Sequence, residues 1–528
     1  MPVPHAVDEL AAAASRPLSD SPGHHPWAPS AAGGPAWRDP LVRRGALGTT
    51  LVSAGSLTPA FLPPQPAIVD LLDLQWLSSG AGRLAATALL VLGMALLVDA
   101  WLRLRPAPGS PPISSRTWLL WSLPLLVAPP LFSRDAYSYA AQGLLVGLGM
   151  DPYVVGPSAT PGPFADQVDP LWLYTPAPYG PLGLQIQHLV VTLTGEHAYL
   201  AAVAMRLPAL LAVGLLAATL PRLAERFGVS RDHALWLGVL NPLVLMHFIG
   251  GAHNDAIMIA LVVSALLLAS HRHLLLASMT VAAAASVKQT GALALVGVLG
   301  LALSDGQARR ERPRSSDAAY FARCAAWVGA DAAATFTVIT MLTGLGWGWV
   351  ANLSVPVSLR SMLAPPTLVG SLIEWLMTVG GMPDPWVELA LPVVRGAAAL
   401  IGLAVIAWLA WRVAPRAPVV ATASAFLVFC ATGPVVHPWY VLWGGVLLGA
   451  TALGSRAIQA VVWVTLFLVT YGVVDTTVSN GSWALGITTI VWMGVRLHQQ
   501  RHPARQLPFP SGAGWSGSAA TTSSRRVS

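Results

Sequence analysis

Long apolar runs recur along almost the whole chain, each ending at a short polar, basic or proline-rich break. A membrane-spanning helix needs about 20 such residues, within a range of roughly 17–25. On that length, candidate spans lie near 45–62, 83–102, 117–132, 199–220, 233–250, 253–270, 274–288, 290–304, 323–345, 388–411, 418–434, 439–453, 456–474 and 482–497, about fourteen in all. The runs are continuous rather than alternating, which argues against an outer-membrane barrel. Only 10% of the 528 residues are charged, against roughly 25% in a soluble domain. The expected fold is therefore all-α, a polytopic membrane helical bundle of about 13–14 spans with extracytoplasmic interfacial helices.

Charge placement gives the orientation. Arg supplies nearly all the basic charge, and Lys288 is the one lysine. The formal charge of +7 does not indicate nucleic-acid binding, because the arginines sit between spans, as membrane topology requires. Arg43 and Arg44 put the N-terminus inside. Arg103, Arg105 and Arg116 then fall on the same side, followed by Arg222, Arg226 and Arg231, by Arg272, by Arg309, Arg310, Arg312 and Arg314, and by Arg412, Arg416 and Arg456. This works only if the run 182–193 does not span. Gln185, Gln187 and His188 agree, and predict a helix lying on the surface there.

The expected organisation is a disordered cytoplasmic tail over 1–42 and an N-terminal transmembrane catalytic module over 43–345 that includes an outer loop, 133–198. An extracytoplasmic loop, 346–387, C-terminal helices over 388–499 and a second disordered cytoplasmic tail, 500–528, follow. The first forty residues carry no apolar h-region, so no cleavable signal peptide is expected. Cys324 and Cys430 lie in or beside apolar runs, which suggests neither a disulfide framework nor a thiolate metal site.

The opposite face collects unusual residues. The apolar run 117–132 stops, and Arg134 and Asp135 follow at once, where a carboxylate would lie at headgroup level. The same side holds His253, Asn254 and Asp255 in one tight turn, Lys288, the loop 346–387 with Arg360, and the turn 433–440 with His437. Trp172, Trp347, Trp349, Trp375, Trp386 and Trp439 lie there as an interfacial belt would. Ionisable groups near hydrocarbon are costly and mark functional sites. The reading that accounts for most of them is a reaction on a lipid-linked substrate, with Asp135 as general base. Arg134, His253, Lys288, Arg360 and His437 are then candidate partners for an anionic leaving group, and Asn254, Asp255, Tyr153, Trp172 and Tyr179 further candidates for the substrate site.

Each has a plainer reading. Asp135 would favour the first turn of a helix starting near Ser133. His253, Asn254 and Asp255 would cap the helix that follows, and Lys288 would snorkel from a helix end. His437 would be an ordinary turn residue, Arg134 would pair with Asp135, and Arg360 would face water. Tyr153, Trp172 and Tyr179 would be loop packing. No Walker A, GxSxG, CxxC or HExxH motif is present.

The stretches FSRDAYSYAAQGLLVGLGMDPYVVGP, WLYTPAPYGPL, LNPLVLMHFIGGAHNDAIM and SVKQTGALAL resemble the polyprenol-phosphomannose-dependent α-1,6-mannosyltransferases of actinobacteria, the MptB type, which are membrane glycosyltransferases of the GT-C class. The similarity runs from about residue 45 to 495. It implies an inverting transfer at the extracytoplasmic face of the plasma membrane, from a polyprenyl-phosphate-mannose donor to a mannan acceptor of the lipomannan or lipoarabinomannan type. It also implies an acidic catalytic residue in an early outer loop, which Asp135 matches. The GT-C class usually carries that loop after its first span, whereas Asp135 follows the third run here. Either two spans precede the shared core or another residue is the acid. No DxD motif is present, no cofactor is indicated, and dependence on a divalent metal stays open. Two alternatives remain: a GT-C transferase for another polyprenyl-phosphate sugar, and a multi-pass transporter or lipid flippase. The second predicts charges at the bilayer midplane and paired broken helices.

Overall fold

The computed structural model describes residues 35–58, 60–63, 72–304, 317–478 and 480–501. The expectations for most of the N-terminal tail (1–34), for the C-terminal tail beyond 501, and for Arg309, Arg310, Arg312 and Arg314 lie outside the described residues. Among the described residues the elements are helices, with no strand.

Among the described residues, five helices are long and apolar enough to cross a bilayer: Gly80–Arg103, Ala198–Arg226, Ala318–Thr343, Asp384–Val413 and Ser455–Thr477. A bent pair, Arg231–Val239 with Val244–Gly250, makes a sixth if counted as one span. The other apolar runs form shorter helices, such as Leu274–Val287 and Gln289–Leu303, which meet at Lys288. Lys288 is extended (φ −148°, ψ 125°) and so ends the first of these. Leu400, Ile401 and Leu403 are more than half exposed on the helix Asp384–Trp408, an apolar outer face suited to lipid. The chain is an all-α, multi-pass membrane protein.

Small residues and indoles set the packing. Helices Pro40–Gly55 and Gly80–Arg103 cross at a reciprocal glycine contact. A Cβ on Gly48 would lie 2.7 Å from the Gly93 carbonyl oxygen, and one on Gly93 2.5 Å from that of Gly48. This is the close backbone approach that small residues allow between membrane helices. Trp101 and Trp236 stack at 5.2 Å, and each indole N–H donates to the other residue's carbonyl at 2.8 Å. The polar edge of each ring is thereby satisfied in a fully buried place. The bent pair turns by 60° at Asn241-Pro242. Pro242 has no N–H to continue the ladder, and the Asn241 side chain takes over, accepting from Leu243 N–H at 2.9 Å and donating to Thr465 Oγ1 at 3.1 Å.

The stretch after Phe132 folds as an ordered, largely buried unit rather than an open loop. Its helix, Asp135–Gly147, packs on the helices Pro181–Leu193 and Ala198–Ala204. The run 182–193 lies within the 13-residue helix Pro181–Leu193. Gln187 is buried, 3% exposed, because Gly143 lets the backbones meet there; that residue does not face water. The segment 346–387 contains a 3-10 stretch, Gly348–Ser358, and the helix Pro365–Val379.

Candidate functional site

Two strained corners open onto the site. Phe132 (φ 56°) and Ala252 (φ 55°) adopt the left-handed region without being glycine, at a cost of about 1–3 kcal/mol each. One corner leads into Asp135 and the other into His253. The segments before them are tied together by Arg206, whose buried guanidinium donates to the carbonyls of Ala128, Pro129, Ile249 and Gly250 at 2.5–3.1 Å. The Leu131 N–H also donates to Gly250 O at 2.9 Å. The result is that His253 Nδ1 stands 3.5 Å from Asp135 Oδ2.

Asp135 is the first residue of its helix, and Ser133 Oγ accepts its N–H at 3.0 Å. The side chain is 16% exposed and borders a cavity of about 530 Å³. Besides His253, the Tyr139 hydroxyl reaches Oδ2 at 3.5 Å. Both approaches are at the outer limit of hydrogen-bond reach, so the carboxylate keeps lone pairs free toward the cavity. Burial works to raise the pKa of this carboxyl, but the His253 ring, the His437 ring and Ser133 together outweigh it and hold it down at about 2.

The second ionisable pair lies across the same cavity wall. Lys288 Nζ donates to Asp255 Oδ1 at 2.8 Å, and the Trp443 indole N–H donates to the same oxygen at 2.6 Å. The ammonium also lies over the rings of Tyr440 and Trp443, 4.7 and 5.0 Å from their centroids. Such cation–π contacts offset part of the cost of burial. Lys288 borders the cavity, whereas Asp255 is fully buried beneath it. One face of the ammonium is thus anchored and the other is open to a ligand.

Trp439 packs against two of the site's histidines: His253 stacks on its ring at 3.8 Å and His437 at 4.6 Å. At 5% exposure Trp439 is a core residue of the site, and its place in an interfacial belt is corrected accordingly. Trp347, Trp375 and Trp386 are exposed. Burial pushes the His437 ring down to about 4, so it is neutral at physiological pH.

Of the other residues singled out in the sequence, Trp172 and Tyr179 border the cavity. Tyr179 packs edge-on against Tyr139 at 5.3 Å. Its position depends on Gly180, where a Cβ would lie 2.2 Å from the Ser286 carbonyl oxygen. Asn254 sits at the N-cap of the helix Asp255–Ser270 but makes no side-chain cap bond. Arg134 lies over the Tyr137 ring at 5.5 Å and is not among the residues bordering the cavity. Tyr153 is packed beneath Gly348. Arg360 is more than half exposed and pairs with Glu374 at 2.6 and 3.1 Å; the structure does not bring it to the cavity. Among the described residues no three His, Cys, Asp or Glu side chains converge as a metal ligand set would.

Sequence reasoning passed over Arg206 and Arg395. Both are arginines inside apolar runs, a signal that alone marks a residue for attention. Arg395 donates to the carbonyls of Val357 and Leu359 at 2.7 and 2.6 Å and to Thr367 Oγ1 at 2.9 Å. It thereby fixes the apolar rim that Val357 and Leu359 give the cavity.

Two family models match the chain: that of the alpha-(1->6)-mannopyranosyltransferase N-terminal domain over residues 42–304, and that of the MptB C-terminal domain over 366–499. The chain is 32% identical over 440 residues to alpha-(1->6)-mannopyranosyltransferase A of Mycobacterium tuberculosis, covering 81% of this chain and 82% of that protein. It is 32% identical over 395 residues to the Corynebacterium glutamicum protein of the same name, covering 71% and 80%. A probable alpha-(1->6)-mannopyranosyltransferase of Mycolicibacterium smegmatis is 34% identical over 475 residues, covering 81% and 82%. No solved structure matches. With identity of this level across most of both chains, and with family models covering both halves, the chain belongs to the alpha-(1->6)-mannopyranosyltransferase family.

Proposed function

We propose that the protein is an inverting mannosyltransferase that moves mannose from polyprenyl-phosphate-mannose to a mannan acceptor, forming α-1,6 linkages at the extracytoplasmic face of the plasma membrane. The acceptor class is the lipomannan or lipoarabinomannan core. Mannosyl transfer and its linkage come from the relatives' names. The observation that carries the mechanism is one cavity bordered by a partly exposed carboxylate, an ammonium and an apolar wall.

Asp135 takes the proton from the acceptor's 6-hydroxyl as that oxygen attacks the anomeric carbon. The bond from that carbon to the phosphate oxygen breaks, and its electron pair leaves with the polyprenyl phosphate, which gains one negative charge. Lys288 is the cation suited to meet that charge. A carboxylate of low pKa is a weak base, so it receives the proton late, when the new bond is largely formed. Attack from the face opposite the phosphate converts a β donor into an α product. Leu293, Val355, Leu359 and Phe429 border the same cavity and suit the first units of a lipid chain. The clustering of arginine between spans supports an extracytoplasmic site through the positive-inside rule.

The test is Asp135→Asn in purified protein, with radiolabelled polyprenyl-phosphate-mannose and α-1,6-mannooligosaccharides of defined length. Turnover is expected to fall by about 10²–10⁴-fold with the fold intact. Wild-type turnover would reject Asp135 as the base. Donors carrying arabinose or glucose in the same assay test the sugar.

A further inference from the structure

The neutral polar side chains that border the cavity are unequal. Most are already occupied. Thr175 Oγ1 donates to Leu171 O at 3.0 Å, and Gln289 Nε2 to Pro178 O at 3.0 Å. Thr290 Oγ1 is spent on Met258 Sδ, and Asn352 Nδ2 on the carbonyls of Tyr153 and Ala177. Ser138 and Gln142 differ. They are 4% and 3% exposed, both border the cavity, and Ser138 Oγ and Gln142 Oε1 have no hydrogen-bond partner among the described residues. A buried polar atom without a partner costs stability and calls for an explanation. Other unpartnered buried groups, such as Gln187 and Ser286 Oγ, do not border the cavity.

Their spacing supplies the explanation. Asp135, Ser138 and Gln142 fall at i, i+3 and i+7 of one helix, and so share one face. Along the axis Ser138 lies about 4.5 Å beyond Asp135 and Gln142 about 10 Å beyond it. Whatever presents a hydroxyl to Asp135 must extend along this face, past a hydroxyl and then an amide. Trp172 and Tyr179, which border the same cavity, add the aromatic surface on which a sugar's apolar face rests. Lys288, by contrast, comes from the break between two other helices, so the donor's charged end is met by a separate element.

We propose that Ser138 and Gln142 form the acceptor subsite, with Ser138 bonding hydroxyls of the reacting sugar and Gln142 those of the next sugar in the chain. The proposal rests on the reading of Asp135 as the base. It makes Gln142 a determinant of acceptor length, engaged by a disaccharide and not by a single sugar.

The experiment compares Gln142→Leu and Ser138→Ala with wild type, using a mannose glycoside and its α-1,6-linked di- and trisaccharide counterparts. Gln142→Leu is expected to raise KM for the longer acceptors about tenfold, with KM for the single sugar and for the donor unchanged. Ser138→Ala raises KM for all the acceptors. Because neither atom has a partner among the described residues, both variants unfold at or above the wild-type temperature; a lower temperature assigns the residues a structural role and overturns the proposal. So does an unchanged acceptor KM, or a change confined to the donor. Calorimetric binding of the trisaccharide to Asp135→Asn, with and without Gln142→Leu, separates the two readings. If Asp135→Asn retains turnover, the base assignment falls, and the binding difference still decides the subsite.

Discussion

Arg206→Met tests how the site is held together. Arg206 is 1% exposed and its guanidinium serves four carbonyls from two separate chain segments. The substitution keeps an unbranched chain that refills the space but removes all the donors. Gly250 O retains the Leu131 N–H and Ile249 O retains the Ala252 N–H at 3.2 Å. The carbonyls of Ala128 and Pro129 keep no other partner among the described residues. Each buried carbonyl left unpaired costs about 1–3 kcal/mol, so the loss lies at about 2–6 kcal/mol. Removing a buried charge recovers part of its desolvation cost and favours the lower half of that range. Both corners, Phe132 and Ala252, are then less restrained. A displacement of 1 Å at Asp135 is enough to lower turnover by about 10²-fold. The assay is loss of helical circular dichroism on heating in detergent, alongside transfer kinetics on the surviving fold. A variant with wild-type stability and turnover would refute the reasoning.

Lys288→Met is expected to destabilise the protein by about 3–5 kcal/mol, because Asp255 is left buried without its counter-charge and keeps only the Trp443 indole N–H. Lys288→Met with Asp255→Leu should recover the stability without recovering donor use; recovery of both would return Lys288 to a purely structural role. Stability also carries a pH signature. His437 titrates at about 4 in the fold against about 6.5 when unfolded, so the unfolded chain binds the extra proton and stability falls as pH drops from about 6.5 to 4. His437→Asn should flatten the unfolding profile across that window, and an unchanged slope would assign the effect elsewhere. The Asp135 contribution is lost only as pH falls below about 4 toward 2, outside that window.

The helical class was legible because uninterrupted apolar runs admit few other solutions. Asp135, His253, Lys288 and His437 were legible because each ionisable group interrupts or borders hydrocarbon, and the structure does bring the four together. What the runs could not convey is pairing across long separations. Trp439 meets His253 from nearly two hundred residues away, and a tryptophan at the end of a run looks the same whether it faces headgroups or stacks on histidine. Arg360 looked similar to Lys288 in composition, yet Glu374, on the helix that follows it, neutralises it at the surface. Ser138 and Gln142 were invisible because a polar residue in a helix carries no mark of whether its partner is supplied by the protein or by a ligand.

The single lysine has a practical consequence. A reagent selective for primary amines meets only one side chain in this chain, and that side chain borders the reaction cavity. Its rate of modification is therefore an occupancy gauge: slowed by whatever fills the chamber beside Lys288, and readable from the mass of the peptide that carries it, without a labelled sugar.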